Sequence, residues 1–183
     1  MTRAVFLDRD GTINVEKNYL WRCNDFEFLP GVPQALRRLQ DAGFLLVVVT
    51  NQSGVARGYY EMADVSRLHD YMIRRLSDFT VTLAGIYVCP HHPDGVPGNP
   101  FATECHCRKG EPGMLLQAAE DLGIDLSQSY MIGDKLSDIE AGYRAGCLPV
   151  LVASGNDTNR FEIPEYCRGV FCDLEDAVEY ILR

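Results

Sequence analysis

Asp8 and Asp10 stand two positions apart in the stretch VFLDRDGT, directly after an apolar run. Two carboxylates held close together repel, so the pair asks for a cation or for a reaction that uses two acids in different roles. Successive residues of an extended chain point to opposite sides, so Asp8 and Asp10 can share one site while Arg9 points away. One carboxylate can then attack phosphorus and carry it as an aspartyl-phosphate. The other can protonate the leaving alkoxide and later take a proton from water. Asp134, in IGDKLSD, adds a third acid. Asp8, Asp10 and Asp134 offer hard oxygen ligands, which suit Mg²⁺ rather than a soft metal. Thr50 in VVTNQSG supplies a hydroxyl and Lys109 in CRK a fixed positive charge. This set stabilises a phosphoryl group in transfer, where catalysis is mostly positioning and electrostatics.

A second constellation is built from sulfur and imidazole. Cys89-Pro90-His91 and Cys105-His106-Cys107 offer three thiolates and an imidazole, enough for a closed tetrahedral zinc site of structural type. His92 and His106 are rival ligands by residue type. The segment between the pairs is rich in Pro, Gly, Asp and Asn and poor in apolar residues, so a metal would organise it and deliver Arg108 and Lys109. Cys23, Cys147, Cys167 and Cys172 stand far apart and read as small hydrophobes.

These residues need elements to position them. Short apolar runs read as buried strands at Ala4–Leu7, Phe44–Val49, Gly85–Val88, Tyr130–Ile132 and Val150–Val152. Helical patterns lie between them at Val32–Ala42, Ala63–Phe79, Gly113–Leu122 and Leu136–Ala145, with a last short helix opening at Asp173 and Leu174. Strand–helix repetition predicts an α/β fold whose central parallel sheet is covered on both faces. In such sheets ligands bind at the carboxyl ends of the strands, where Asp8, Thr50 and Asp134 fall. The stretch between Asp8 and Thr50 is filled by a flap, one helix and a strand, so no separate cap domain is expected there.

The chain has 183 residues, which suits a single domain spanning 1–183 with a zinc loop at about 89–107. A net charge of −9 repels polyanions and argues against a nucleic-acid partner. No apolar run reaches the eighteen residues of a membrane helix, and the N-terminal stretch meets charged residues too soon for a signal peptide. A monomer in the cytoplasm, acting on a small phosphorylated molecule, is the expectation. Lys17, Arg57, Arg108 and Lys135 could contact anionic groups, a surplus of positive charge that suits a second phosphate on the substrate.

The motifs FLDRDGT, VVTNQSG, CRK and IGDKLSD, in this order, resemble the four signatures of the haloacid dehalogenase-like phosphatase superfamily. DRDGTINVEKNY, DFEFLPG, TNQSGVARGYY and CPHHPDG with CHCRK are similar to the heptose-bisphosphate phosphatases within it. The resemblance implies a Rossmann-like three-layer sandwich with a zinc-binding loop. It implies Asp8 as nucleophile, Asp10 as acid/base, and Thr50 and Lys109 as holders of the phosphoryl group. It further implies Mg²⁺ on Asp8, Asp134 and the backbone carbonyl of Asp10, and structural Zn²⁺ on Cys89, His91, Cys105 and Cys107. Glu16, Lys17, Asn18, Tyr19, Asn51, Gln52, Ser53, Arg108 and Lys135 would line the substrate site. The implied reaction removes the 7-phosphate of a heptose 1,7-bisphosphate in lipopolysaccharide-core or related heptose biosynthesis. The alternatives are a histidinol-phosphate phosphatase and, from another class, a non-catalytic zinc-stabilised binding protein.

Overall fold

The computed structural model describes residues 2–155 and 162–183. Six parallel strands form one sheet: β1 (Ala4–Leu7), β2 (Leu45–Asn51), β3 (Gly85–Cys89), β4 (Tyr130–Gly133), β5 (Leu148–Val152) and β6 (Val170–Phe171). Their spatial order is β3-β2-β1-β4-β5-β6. Strand side chains alternate between two apolar layers. Val5 and Leu7 pack with Val48 and Ile132 on one face, and Ala4 and Phe6 pack with Val47 and Met131 on the other. Helices α1 (Val32–Asp41), α2 (Met62–Ser77) and α5 (Leu174–Ile181) cover the first face. Helices α3 (Gly113–Leu122) and α4 (Leu136–Ala145) cover the second. The sheet is therefore the middle of three layers, which is why β1 is apolar at every position.

The chain runs outward from β1 through β2 to β3, then returns to β4 on the other side of β1. That reversal opens a crevice at the carboxyl ends of β1, β2 and β4. Leu7 is in register with Val48 and with Ile132, so the residues that follow leave the sheet at one edge. Helices α3 and α4 stop at Gly123 and Gly146, where left-handed backbone suits glycine.

Boundaries differ from the sequence expectation where polar residues join the sheet. β2 continues through Thr50 and Asn51 because these pair with Val88 and Cys89 of β3. β6 has two residues, too few to show a period. α2 ends at Ser77 rather than Phe79, and the chain turns through Thr80 at φ 56°. Turns alone join β2 to α2, and among the described residues no further layer stands over the crevice. No helix among them is long and apolar enough to cross a membrane.

Candidate active site

The crevice holds a cavity of about 420 Å³ lined by residues from all three strand ends and from the loop before α3. Lys109 enters from that loop and is buried. Its Nζ donates to Asp8 Oδ1, to the Val49 carbonyl at 2.7 Å and to Asp138 Oδ1 at 2.8 Å. Burial works against the lysine charge, but Asp138 and Asp8 outweigh it and hold Lys109 protonated. Asp138 is itself fixed, since its Oδ2 accepts the Lys135 N–H at 3.0 Å and closes the first turn of α4.

Asp8, Asp134 and Asp138 offer oxygens that all lie within 4.8 Å of one another. Burial, with the charges of Asp8 and Asp138, pushes the Asp134 carboxyl up to about 8. Three buried acids this close form a donor set that fits a hard divalent cation, whose charge would relieve their repulsion. Lys135 shares in the balance. Burial opposes its charge, and Asp8, Asp134 and Glu16 raise its pKa despite that. The approach requires Gly11: its backbone has φ +86°, and a Cβ there would stand 2.4 Å from Asp134 Oδ2.

Asp10 is gripped from several directions. Arg9 does not point away from it: the guanidinium folds back, with Nη2 2.8 Å from Asp10 Oδ2. Asn14 Nδ2 donates to Oδ1 at 3.0 Å and Gln52 Nε2 to Oδ2 at 2.9 Å. Burial favours the neutral acid, but the Arg9 charge and these donors together hold the Asp10 carboxyl below the usual carboxylate range.

Glu16, Asn18, Tyr19, Ser53, Arg108 and Lys135 line the cavity as expected from the sequence. Asn18 and Tyr19 adopt left-handed φ values of 53° and 70°. The Asn18 N–H donates to Glu16 Oε1 at 2.8 Å, and Glu16 Oε2 accepts from Lys135 Nζ at 3.3 Å. Asn51 also lines the cavity, and its Oδ1 accepts the Lys109 N–H at 3.0 Å, clipping the end of β2 to the loop. Three expected catalytic or substrate-binding residues lie off the lining, as does Asp134, expected as a metal ligand. Thr50 is fully buried and its Oγ1 accepts from Gln52 Nε2 at 2.9 Å. Lys17 pairs with Glu27 at 3.3 Å, and Arg57 Nη2 lies 3.2 Å from His92 Nε2. Tyr60, Ser137 and Asp138 line the cavity without having been among the expected site residues. The spacing of Asp138 after Lys135, an acid at the third position of a helix, was the available signal.

The Cys/His cluster adjoins this site through the chain itself, because Arg108 and Lys109 follow Cys107. Cys89 Sγ is 3.5 Å from Cys105 Sγ, and Cys107 Sγ is 3.3 Å from Cys105 Sγ. His91 Nδ1 lies 3.4 Å from Cys107 Sγ and 3.8 Å from Cys89 Sγ. Two thiolates on one tetrahedral zinc ion stand about 3.8 Å apart, so the cluster is compatible with a zinc site. Of the histidines, the structure brings His91 to the sulfurs, whereas the His92 ring accepts the Asp94 N–H.

A family profile described as HAD-hydrolase-like matches residues 106–177. The D-glycero-β-D-manno-heptose-1,7-bisphosphate 7-phosphatase of Haemophilus ducreyi is 50% identical over 155 residues, 84% of each chain. The enzyme of that name from Escherichia coli K12 is 51% identical over 153 residues, 83% of this chain and 80% of its own. The crystal structure of a D,D-heptose 1,7-bisphosphate phosphatase from B. bronchiseptica with magnesium and phosphate superposes with a TM-score of 0.87 at 36% identity, covering 99% of this chain and 98% of its own. The fold is thus that of a haloacid dehalogenase-like phosphate-ester hydrolase. The chain belongs to the D-glycero-β-D-manno-heptose-1,7-bisphosphate 7-phosphatase family.

Proposed function

We propose that this cavity removes the 7-phosphate of D-glycero-β-D-manno-heptose 1,7-bisphosphate. The observation that carries the chemistry is Lys109 Nζ held between Asp8 and Asp138, beside Asp134, under a cavity large enough for a sugar phosphate. Half-identity with relatives of that name supports the substrate. Asp8 attacks the phosphorus, and the bond to the sugar C7 oxygen breaks as Asp10, which takes up a proton when the anionic phosphate binds beside it, passes that proton to the oxygen. Asp10 then takes a proton from the water that attacks the phosphoryl group and frees Asp8. Lys109 and Thr50 hold the non-bridging oxygens. Asp8, Asp134 and the backbone carbonyl of Asp10 would hold Mg²⁺, which supplies positive charge to the phosphoryl oxygens. Cys89, His91, Cys105 and Cys107 would hold a structural Zn²⁺ that keeps Arg108 and Lys109 in place. Arg108 and Lys135 at the mouth would take the 1-phosphate, with Arg57 farther out. We read residues 1–183 as one such domain, a cytoplasmic monomer, and the single sheet that both halves of the chain enter supports the one-domain reading.

The test is phosphate release from heptose 1,7-bisphosphate and from histidinol phosphate, each with Mg²⁺. A clear kcat/KM preference for the heptose bisphosphate is expected. Preference for histidinol phosphate, or no release from either, would overturn the reading.

A further inference from the structure

Asp10 is bound by two arms, one reaching back to His69 in α2, off the cavity, and the other to Tyr60 on the cavity wall. Arg9 is fully buried, and its Nε and Nη2 donate to Asp10 Oδ1 at 3.2 and 3.0 Å. Nη2 also donates to the Leu20 carbonyl at 3.1 Å. Nη1 lies 3.0 Å from His69 Nε2. A guanidinium only donates, so His69 Nε2 accepts and the imidazole proton sits on Nδ1. His69 belongs to α2, on the buried stripe with Val65 and Met72. Burial and the neighbouring Arg9 charge keep its ring neutral, lowering its pKa to about 3. The second arm runs through Gln52, whose Nε2 donates to both Asp10 Oδ2 and Thr50 Oγ1 at 2.9 Å. Tyr60 donates its hydroxyl to Gln52 Oε1 at 2.8 Å. The Asp10 carboxylate only accepts, so the amide turns its nitrogen to Asp10, and the Tyr60 hydroxyl holds the oxygen on the other side.

We propose that His69 and Tyr60 are positioning residues for proton delivery by Asp10. His69 fixes the Arg9 fork, Tyr60 fixes the Gln52 amide, and together they set the direction of the Asp10 carboxyl. The inference rests on the reading of Asp10 as proton donor to the leaving sugar oxygen. His69 is absent from the cavity lining, so its effect must pass through Arg9. Leucine at position 69 would leave the Arg9 Nη1 N–H without its acceptor and free the fork to turn. A misplacement of about 1 Å at a reacting group can cost on the order of 10²-fold in rate.

Two substrates separate this role from a merely structural one. A sugar alkoxide needs a proton to leave, whereas p-nitrophenolate leaves without one. kcat/KM counts only the steps up to departure of the leaving group. His69→Leu should therefore lose at least about 10-fold more kcat/KM toward heptose 1,7-bisphosphate than toward p-nitrophenyl phosphate. His69→Gln, whose amide oxygen can accept from Arg9, should recover most of that loss. Tyr60→Phe should show the same selective loss, smaller in size. Equal losses on both substrates in His69→Leu and Tyr60→Phe, no loss, or failure of His69→Gln to recover would overturn the inference. Asp10→Asn serves as reference. If it shows the selective loss and the His69 and Tyr60 variants do not, only this inference falls. If Asp10→Asn itself shows no selectivity, the role of Asp10 falls, and this inference falls with it.

Discussion

Among the described residues stand two clusters of metal-type donors, built on opposite physical plans. The Asp8–Asp134–Asp138 cluster is wholly buried, made of oxygens, and compensated from within by Lys109. The Cys89–His91–Cys105–Cys107 cluster is made of sulfur and imidazole, is largely half-exposed, and belongs to a loop with little apolar content. The acids gather because β1 and β4 end side by side and α4 starts at that edge, so the fold itself brings them together. In the other cluster the sheet fixes Cys89, the buried last residue of β3, while His91, Cys105 and Cys107 come to it from the loop. Burial raises the Cys89 thiol, with Cys107 adding to the effect. One cluster is therefore a property of the fold, and the other would make its loop depend on the proposed zinc. They meet in Lys109, two residues after Cys107, whose Nζ contacts both Asp8 and Asp138.

That contrast can be broken in order of effect. Asp8→Asn should abolish turnover, since an amide does not attack phosphorus; phosphate release under saturating substrate checks it, and activity near wild type would remove Asp8 from its role. Cys107→Ser should lose zinc and roughly 10²-fold in rate through displacement of Lys109, while Mg²⁺ affinity is largely kept. Metal analysis beside a Mg²⁺ titration tests both halves of that statement. Cys147→Ser should change neither property, because Cys147 is packed in the apolar layer under α4. Asp138→Asn should be milder than either loss, about 10-fold, since it removes one charged partner and leaves Lys109 its bonds to Asp8 and Val49.

The smallest effect is on stability. Asp134 has a folded pKa of about 8, above its unfolded value, so the metal-free protein carries an extra proton between about pH 4 and 8. Its stability must fall as pH rises through that range. His69 acts in the opposite sense, because its lowered pKa costs stability only as pH falls below about 6.5. Between pH 6.5 and 8 the Asp134 effect stands alone of the two. Thermal melts of EDTA-treated protein should drop by a few degrees across that interval, and Mg²⁺ should remove the drop. A metal-free melting temperature that rises with pH there would contradict the account of the acid cluster.

Much of this was legible in the residues. Alternating apolar runs and helix-stopping glycines marked five strands and five helices, and the polar residues after three of the strands marked the crevice. Gly113–Leu122 and Leu136–Ala145 end where Gly123 and Gly146 stop them. What stayed hidden depends on side-chain direction. Strand alternation turned Arg9 away from Asp10, yet a long side chain leaving a strand end can curl back when a buried acceptor waits, as Asp10 and His69 do. Thr50 and Gln52 look equivalent in TNQSG, but Thr50 is covered and Gln52 holds Asp10. His69 gave a readable sign, a polar residue on the stripe of Val65, Met72 and Leu76, though its partner sixty positions away could not be read. The choice of His91 over His92 likewise needed the loop's path.

The central claim is that Asp8 receives the phosphoryl group while Asp10 handles protons. Asp10→Asn separates the two steps when p-nitrophenyl phosphate is the substrate, because phosphorylation then needs no proton and hydrolysis of the adduct still does. Acid-quenched Asp10→Asn protein should carry a phosphoryl group, and peptide mass spectrometry should place it on Asp8. Release of p-nitrophenol with no adduct at any time, or an adduct on another residue, would contradict the account.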